Sequence, residues 1–99
     1  MITSKQRAYL RSLANSITPI FQIGKGGIND NLINQLKDAL QVRELIKVTI
    51  LDTSLLDTKQ VCADLAEMLD AESVQSIGSK VVLYKQCSEV EKRKITLPR

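Results

Sequence analysis

The densest chemical signal in the chain is the run Gly24-Lys25-Gly26-Gly27. Three glycines in four positions free the backbone for positive φ and let its N–H groups come close to a ligand. Lys25 adds a full positive charge, and a helix starting just beyond would add the positive end of its dipole. Together these would clamp a phosphate. The run lacks the length and the closing Lys-Ser/Thr pair of a P-loop. Asn29 stands where a dinucleotide fingerprint needs its third glycine. A Gly-x-x-Gly loop from Gly24 to Gly27, as in the KH-type modules that grip a nucleic-acid backbone, fits the spacing. The plain alternative is a tight strand-to-helix turn, and Asp30 would compete with phosphate for the helix start.

Other cations could widen such a site. Arg7 and Arg11 are four residues apart, and like charges at that helical spacing cost about 0.2–0.5 kcal/mol unless an anion relieves them. Lys5 shares their basic segment. Lys47 alternates with apolar neighbours, which suits either an RNA contact or a strand charge. Lys80 is expected in a turn and Lys85 at a strand end, where lysines are ordinarily just solvated. Tyr84 could stack on a base, but beside Val and Leu it reads as core.

Composition removes several chemistries. The 99 residues contain no His, hence neither the commonest general base nor the commonest metal ligand. Cys62 and Cys87 match no zinc spacing and form no Cys-x-x-Cys pair. No metal or cofactor is expected. Tyr9, Phe21 and Tyr84 are the whole aromatic complement, which weakens any base-stacking surface. No apolar run approaches the roughly 20 residues of a membrane span. The first residues lack the apolar core of a signal peptide, so a cytoplasmic location is expected.

Charge is segregated. Residues 1–50 carry a net +4, residues 51–79 a net −5 and residues 80–99 a net +4, giving +3 overall. One basic and one acidic side are expected, the basic one suited to phosphate.

The elements that must position these residues follow from periodicity. Thr3 with Gln6 forms a capping box for a helix over 4–15, with Leu10, Leu13, Ala14 and Ile17 on one face. Residues 19–23 read as a short strand. Asn29 or Asp30 caps a second helix with a stripe of Leu32, Ile33, Leu36, Ala39 and Leu40. Residues 45–51 form a strand with Ile46, Val48 and Ile50 on one face and Lys47 and Thr49 on the other. Asp57 and Gln60 open a third helix that buries Val61, Cys62, Leu65, Ala66 and Leu69. Residues 73–77 and 81–85 make a hairpin across Gly78-Ser79-Lys80. The fold class is therefore α/β: a two-layer α-β-α-β-α-β-β arrangement on a small four-stranded mixed sheet. Residues 1–87 form the domain and 88–99 a basic, flexible tail.

Five segments in this order resemble the CRM (chloroplast RNA splicing and ribosome maturation) family, in its small bacterial YhbY-like form. They are Lys5-Gln6-Arg7-Ala8-Tyr9-Leu10-Arg11, Gln22-Ile23-Gly24-Lys25-Gly26-Gly27, Glu44-Leu45-Ile46-Lys47-Val48, the hairpin Val74-Gln75-Ser76-Ile77-Gly78 with Val82-Leu83-Tyr84-Lys85, and the ending Lys94-Ile95-Thr96-Leu97-Pro98-Arg99. Arg43 stands where the family commonly has His. The resemblance implies a fold like the C-terminal domain of translation initiation factor 3. It also implies a non-enzymatic RNA-binding protein acting on ribosomal RNA in large-subunit precursors. The expected RNA-binding residues are Gly24, Lys25, Gly26, Gly27, Arg7, Arg11, Lys5 and Lys47. Two rivals stand beside this: a protein-interaction module docking through the acidic middle segment, and a nucleotide enzyme, for which Asp30 is the one carboxylate near the loop.

Overall fold

Alternation along the strands decides how the helices are placed. The computed structural model describes residues 2–52 and 56–98. The order is α1 (Ser4–Ala14), β1 (Phe21–Ile23), α2 (Asp30–Arg43), β2 (Leu45–Ile50), α3 (Thr58–Leu69), β3 (Glu72–Ile77) and β4 (Lys80–Tyr84), then a 3-10 turn at Val90–Lys92. The four strands form one mixed sheet in the order β1-β2-β4-β3. β1 runs parallel to β2, while β4 is antiparallel to both β2 and β3. The expected α/β class, element order and four-stranded mixed sheet are all present.

The helix starts follow local chemistry. Thr3 and Gln6 make the reciprocal capping box at α1, with Gln6 N donating to Thr3 Oγ1 at 3.1 Å and Thr3 N to Gln6 Oε1 at 2.9 Å. Asn29 caps α2, its Oδ1 accepting from Leu32 N at 2.9 Å. At α3 the expected box is absent: Asp57 makes no side-chain cap. Gln60 turns along the helix instead and donates to Asp64 Oδ1 at 2.9 Å, since an (i, i+4) carboxylate is within easy reach.

The two faces of the sheet bury different partners. Ile46, Val48, Ile50, Val81 and Leu83 pack against α2 and α3 through Leu36, Leu40, Val61, Leu65 and Leu69. Leu45, Val82, Tyr84 and Val74 face the other way and meet Leu10 and Ala14 of α1, with Ile95 and Leu97 packed alongside. The two layers expected from the sequence are thus three. Leu45 and Val82 make the second face apolar, and that face must be covered too.

The end of the chain also differs from the flexible tail expected. Gln6 Nε2 donates to the Pro98 carbonyl at 2.9 Å, and Ile95 and Leu97 pack against the second core. Half-buried apolar side chains and hydrogen-bonded backbone groups hold residues 93–98 against the body of the fold. Arg99, which ends the family-like motif, lies outside the described residues.

β3 is an edge strand, and two of its carbonyls are occupied by side chains. Arg7 Nε donates to Ser73 O at 3.2 Å and Cys62 Sγ to Gln75 O at 3.8 Å. A bulge at Val74 interrupts the β3–β4 register. Both devices discourage pairing with another strand.

Candidate nucleic-acid interface

The glycine run forms a β-turn at the end of β1. Gly27 N donates to Gly24 O at 2.9 Å, which leaves Lys25 and Gly26 at the tip. Gly27 has φ +64°, the left-handed region that other residues enter only with strain. Gly26 has no such requirement, and a Cβ built on it would meet nothing within 4 Å. The space beside its Cα is therefore open. Lys25 is exposed. Two residues on, Asn29 and Asp30 start α2. Asn29 occupies Leu32 N–H, and the first amides of the helix have no partner within it. A turn with an open backbone, a cation and a helix start can hold an anionic oxygen.

The other expected site residues do not all join this turn. β1 and β3 are opposite edges of the sheet, about 14 Å apart at ordinary strand spacing. Arg7 lies at the β3 edge, bonded to Ser73 O, and Arg11 follows one helical turn later in the open. Lys5 is exposed in the first turn of α1. Lys47 lies on central strand β2, and its Nζ donates to Ala14 O at 3.2 Å. There it neutralises the negative end of α1, a structural use of the charge. One expected basic patch is thus two, a glycine turn at one edge and the α1 cations towards the other, with Lys47 committed to the fold.

Charge segregation maps onto the layers. α1 carries Lys5, Arg7 and Arg11 with no acidic residue. On the opposite face, α3 and its two caps carry Asp57, Asp64, Glu67 and Asp70 against Lys59.

Two residues escaped the sequence reading. Lys80 is the first residue of β4, paired with Thr49, and not in the turn. Gly78 and Ser79 alone make the two-residue turn, with φ +57° at Gly78, so the strand begins one residue earlier than expected. Glu44 is the second. It is the C-cap of α2 with φ +65°, and it is fully buried. Its Oε2 accepts from Cys87 N at 2.7 Å, and its Oε1 from Lys94 N at 2.6 Å and Ile95 N at 2.9 Å. Burial by itself would raise its carboxyl, but the three backbone donors, with Arg93 nearby, hold it below the usual carboxylate range. The available signal was a charged residue placed directly between an amphipathic helix and a buried strand, with no turn residues around it.

Tyr84 is core, 2% exposed, and its hydroxyl finds no partner among the described residues. Burial, helped by Glu44, pushes its phenol up. It offers no stacking face for a base. Cys62 is core as expected, and Cys87 is buried too, its N–H donating to Glu44.

Comparison with known proteins is consistent with this geometry. The family model described as the CRS1 / YhbY (CRM) domain matches residues 2–85. A Bacillus subtilis relative named "Probable RNA-binding protein YqeI" is 47% identical over 98 residues, covering 99% of this chain and all of its own. A Haemophilus influenzae relative named "RNA-binding protein" is 32% identical over 99% of this chain and 96% of its own. A Staphylococcus aureus protein solved in solution superposes with a TM-score of 0.76 at 47% identity, over 99% of this chain and all of that one.

Proposed function

Because the chain belongs to the CRS1/YhbY (CRM) family, we propose that it is an RNA-binding protein whose Gly24–Gly27 turn grips the sugar–phosphate backbone. The RNA is ribosomal RNA in precursors of the large subunit, met in the cytoplasm. The role is binding that assists assembly, with no reaction catalysed. The relatives named for RNA binding support the ligand class. The observation that carries the site is the open backbone at Gly26 beside exposed Lys25, at the start of α2.

Physical reasoning favours a folded RNA. Stacking is limited to one exposed ring, Tyr9 on α1, since Tyr84 is buried and Phe21 packs against the first core. Recognition then falls to backbone and shape, and a structured RNA presents phosphates in a fixed array. With Lys25, Arg7, Arg11 and Lys5 as contacts, log affinity should fall with log salt as for roughly 3–5 phosphates, at about 0.7–0.9 per contact. Such a site would be covered as later proteins and RNA folding close over it, which confines binding to precursors. Among the described residues no helix is long and apolar enough to cross a membrane.

The test uses Lys25→Ala and Gly26→Asp. Gly26 has room for a side chain and a φ outside the left-handed region, so its variant should fold. In sucrose gradients of growing cells, wild-type protein should sediment with large-subunit precursors, and both variants should move to the top. Wild-type protein at the top, or spread equally over mature ribosomes and small subunits, would overturn the ribosomal assignment. Retention that survives nuclease treatment would point to protein docking through the acidic layer.

A further inference from the structure

We infer that an RNA strand held by the glycine turn continues across the strip of sheet that α1 leaves uncovered, where Gln22, Thr49 and Lys80 contact its sugar–phosphate backbone. This rests on the RNA-binding reading of the glycine turn and extends it to a second set of residues.

The strip is fixed by register. Gln22 of β1 pairs with Thr49 of β2, Thr49 with Lys80 of β4, and Lys80 with Ile77 of β3. These four residues make one row across the whole sheet, on the face where Lys47 and Val82 lie. α1 covers the rows below. It ends at Ala14, whose carbonyl takes the Lys47 amine, and Lys47 is one row short of Thr49. Past the helix end Gln22 is exposed, Thr49 and Lys80 are half-buried and Ile77 is 60% exposed. The row sits at the same end of the sheet as the glycine turn: Leu51 N donates to Ile23 O at 2.8 Å, and Ile50 N to Ser79 O at 2.6 Å. Lys80 is two strands from β1, about 10 Å away.

The chemistry of the row suits a nucleic-acid backbone. It offers an amide, a hydroxyl, an ammonium and one aliphatic side chain, with no aromatic ring. Lys47 spends its amine on a helix end, whereas among the described residues the Lys80 amine meets only the neutral Ser79 Oγ, at 3.3 Å. The side chains of Gln22 and Thr49 form no hydrogen bond with another described residue. A phosphate at Lys80 and ribose hydroxyls at Gln22 and Thr49 would use all three. The carboxylates at this end, Asp30, Asp52 and Asp57, belong to the segments leading to the other face, at the start of α2, after β2 and at the cap of α3.

Binding of a labelled hairpin RNA to the full chain tests this with Lys80→Ala, Lys80→Gln and Lys80→Arg, each checked by thermal melting. Loss of a charged hydrogen bond predicts that Ala and Gln weaken affinity by about tenfold. They should also reduce the salt slope by about 0.7–0.9, the value of one phosphate contact. Lys80→Arg should retain most of the affinity, and Lys37→Ala, exposed on α2 over the other face of the sheet, should change nothing. Combining Lys25→Ala with Lys80→Ala should give close to the product of the single losses. Thr49→Val, which removes the hydroxyl at nearly constant shape, should narrow any preference for RNA over DNA of the same sequence. Wild-type affinity and salt slope in Lys80→Gln, with Lys25→Ala weakened, would overturn the inference and leave the glycine turn standing. A loss that Lys80→Arg shares would also overturn it, because charge would not be the cause. Unchanged binding in both Lys25→Ala and Lys80→Gln would remove the glycine-turn reading itself.

Discussion

The two faces of the sheet are held down by different physics. On one, α2 and α3 bury a continuous apolar cluster, from Ile23 and Leu36 through Leu65 to Leu83, under an acidic α3. On the other, α1 and the last residues of the chain cover a smaller cluster around Leu10, Val82 and Tyr84, under a basic α1. Polar tethers share the work there: Glu44 to the backbone of Cys87, Lys94 and Ile95, Gln6 to Pro98, Lys47 to Ala14 and Arg7 to Ser73. Hydrophobic burial is non-directional and hard to undo at one point, whereas a tether fails when one partner is removed. The first face therefore carries global stability. The second is assembled from both chain ends and can be loosened alone.

The largest effect should come from the first face. Leu65 is wholly buried, and Leu65→Ala should cost about 2–5 kcal/mol and lower the melting of the entire chain. A melt that shifts less than that of a matched change at Leu10 would reverse the order of the two faces.

Glu44→Ala comes next. It strands three backbone N–H groups, at about 1–3 kcal/mol for each that stays buried, but detachment of the chain end gives them back to water and limits the total to about 3 kcal/mol. Hydrogen exchange should rise at residues 87–98 and hardly change in α2 and α3. Uniform loss of protection would mean the faces form one cooperative unit. The same group sets an acid dependence. Its carboxyl is held below the value it has in the unfolded chain, so its stabilisation is complete above the ordinary carboxylate range. That contribution is lost as pH falls through the lower folded value. Wild type should thus lose more melting temperature in acid than Glu44→Gln, whose side chain does not titrate. Parallel pH curves would contradict the carboxylate tether.

Lys47→Ala should have the smallest effect, about 0.3–1 kcal/mol from the lost interaction at the end of α1. Its hairpin-RNA affinity should stay at the wild-type value. Weakened binding with unchanged melting would return Lys47 to the interface.

Much of the first face was legible in advance. Helical stripes such as Leu36 and Leu40, and the alternation of Ile46, Val48 and Ile50, are local periodicities, and one element suffices to reveal each. The glycine turn was legible for the same reason: Gly27 needs positive φ, and its turn closes over four consecutive residues. The Thr3 and Asn29 caps are equally local.

What escaped depends on partners distant along the chain. Leu45 and Val82 alternate with the first core, but nothing in β2 or β4 says which segment covers them. That answer needs α1 and residues 95–97, brought in from opposite ends. Glu44 reads as a surface acid until Cys87, Lys94 and Ile95 arrive with their amides. Lys47 and Lys80 are both half-buried strand lysines, and only the end of α1 separates an amine spent on a helix carbonyl from one facing an open row. The sequence by itself determined the elements, their order and the glycine turn, because hydrophobic period, capping and glycine stereochemistry act within a few residues. The tertiary structure decided the third layer, the docked chain end and the division of the basic residues. Burial and hydrogen-bond satisfaction are properties of neighbours in space, which the linear order of residues does not specify.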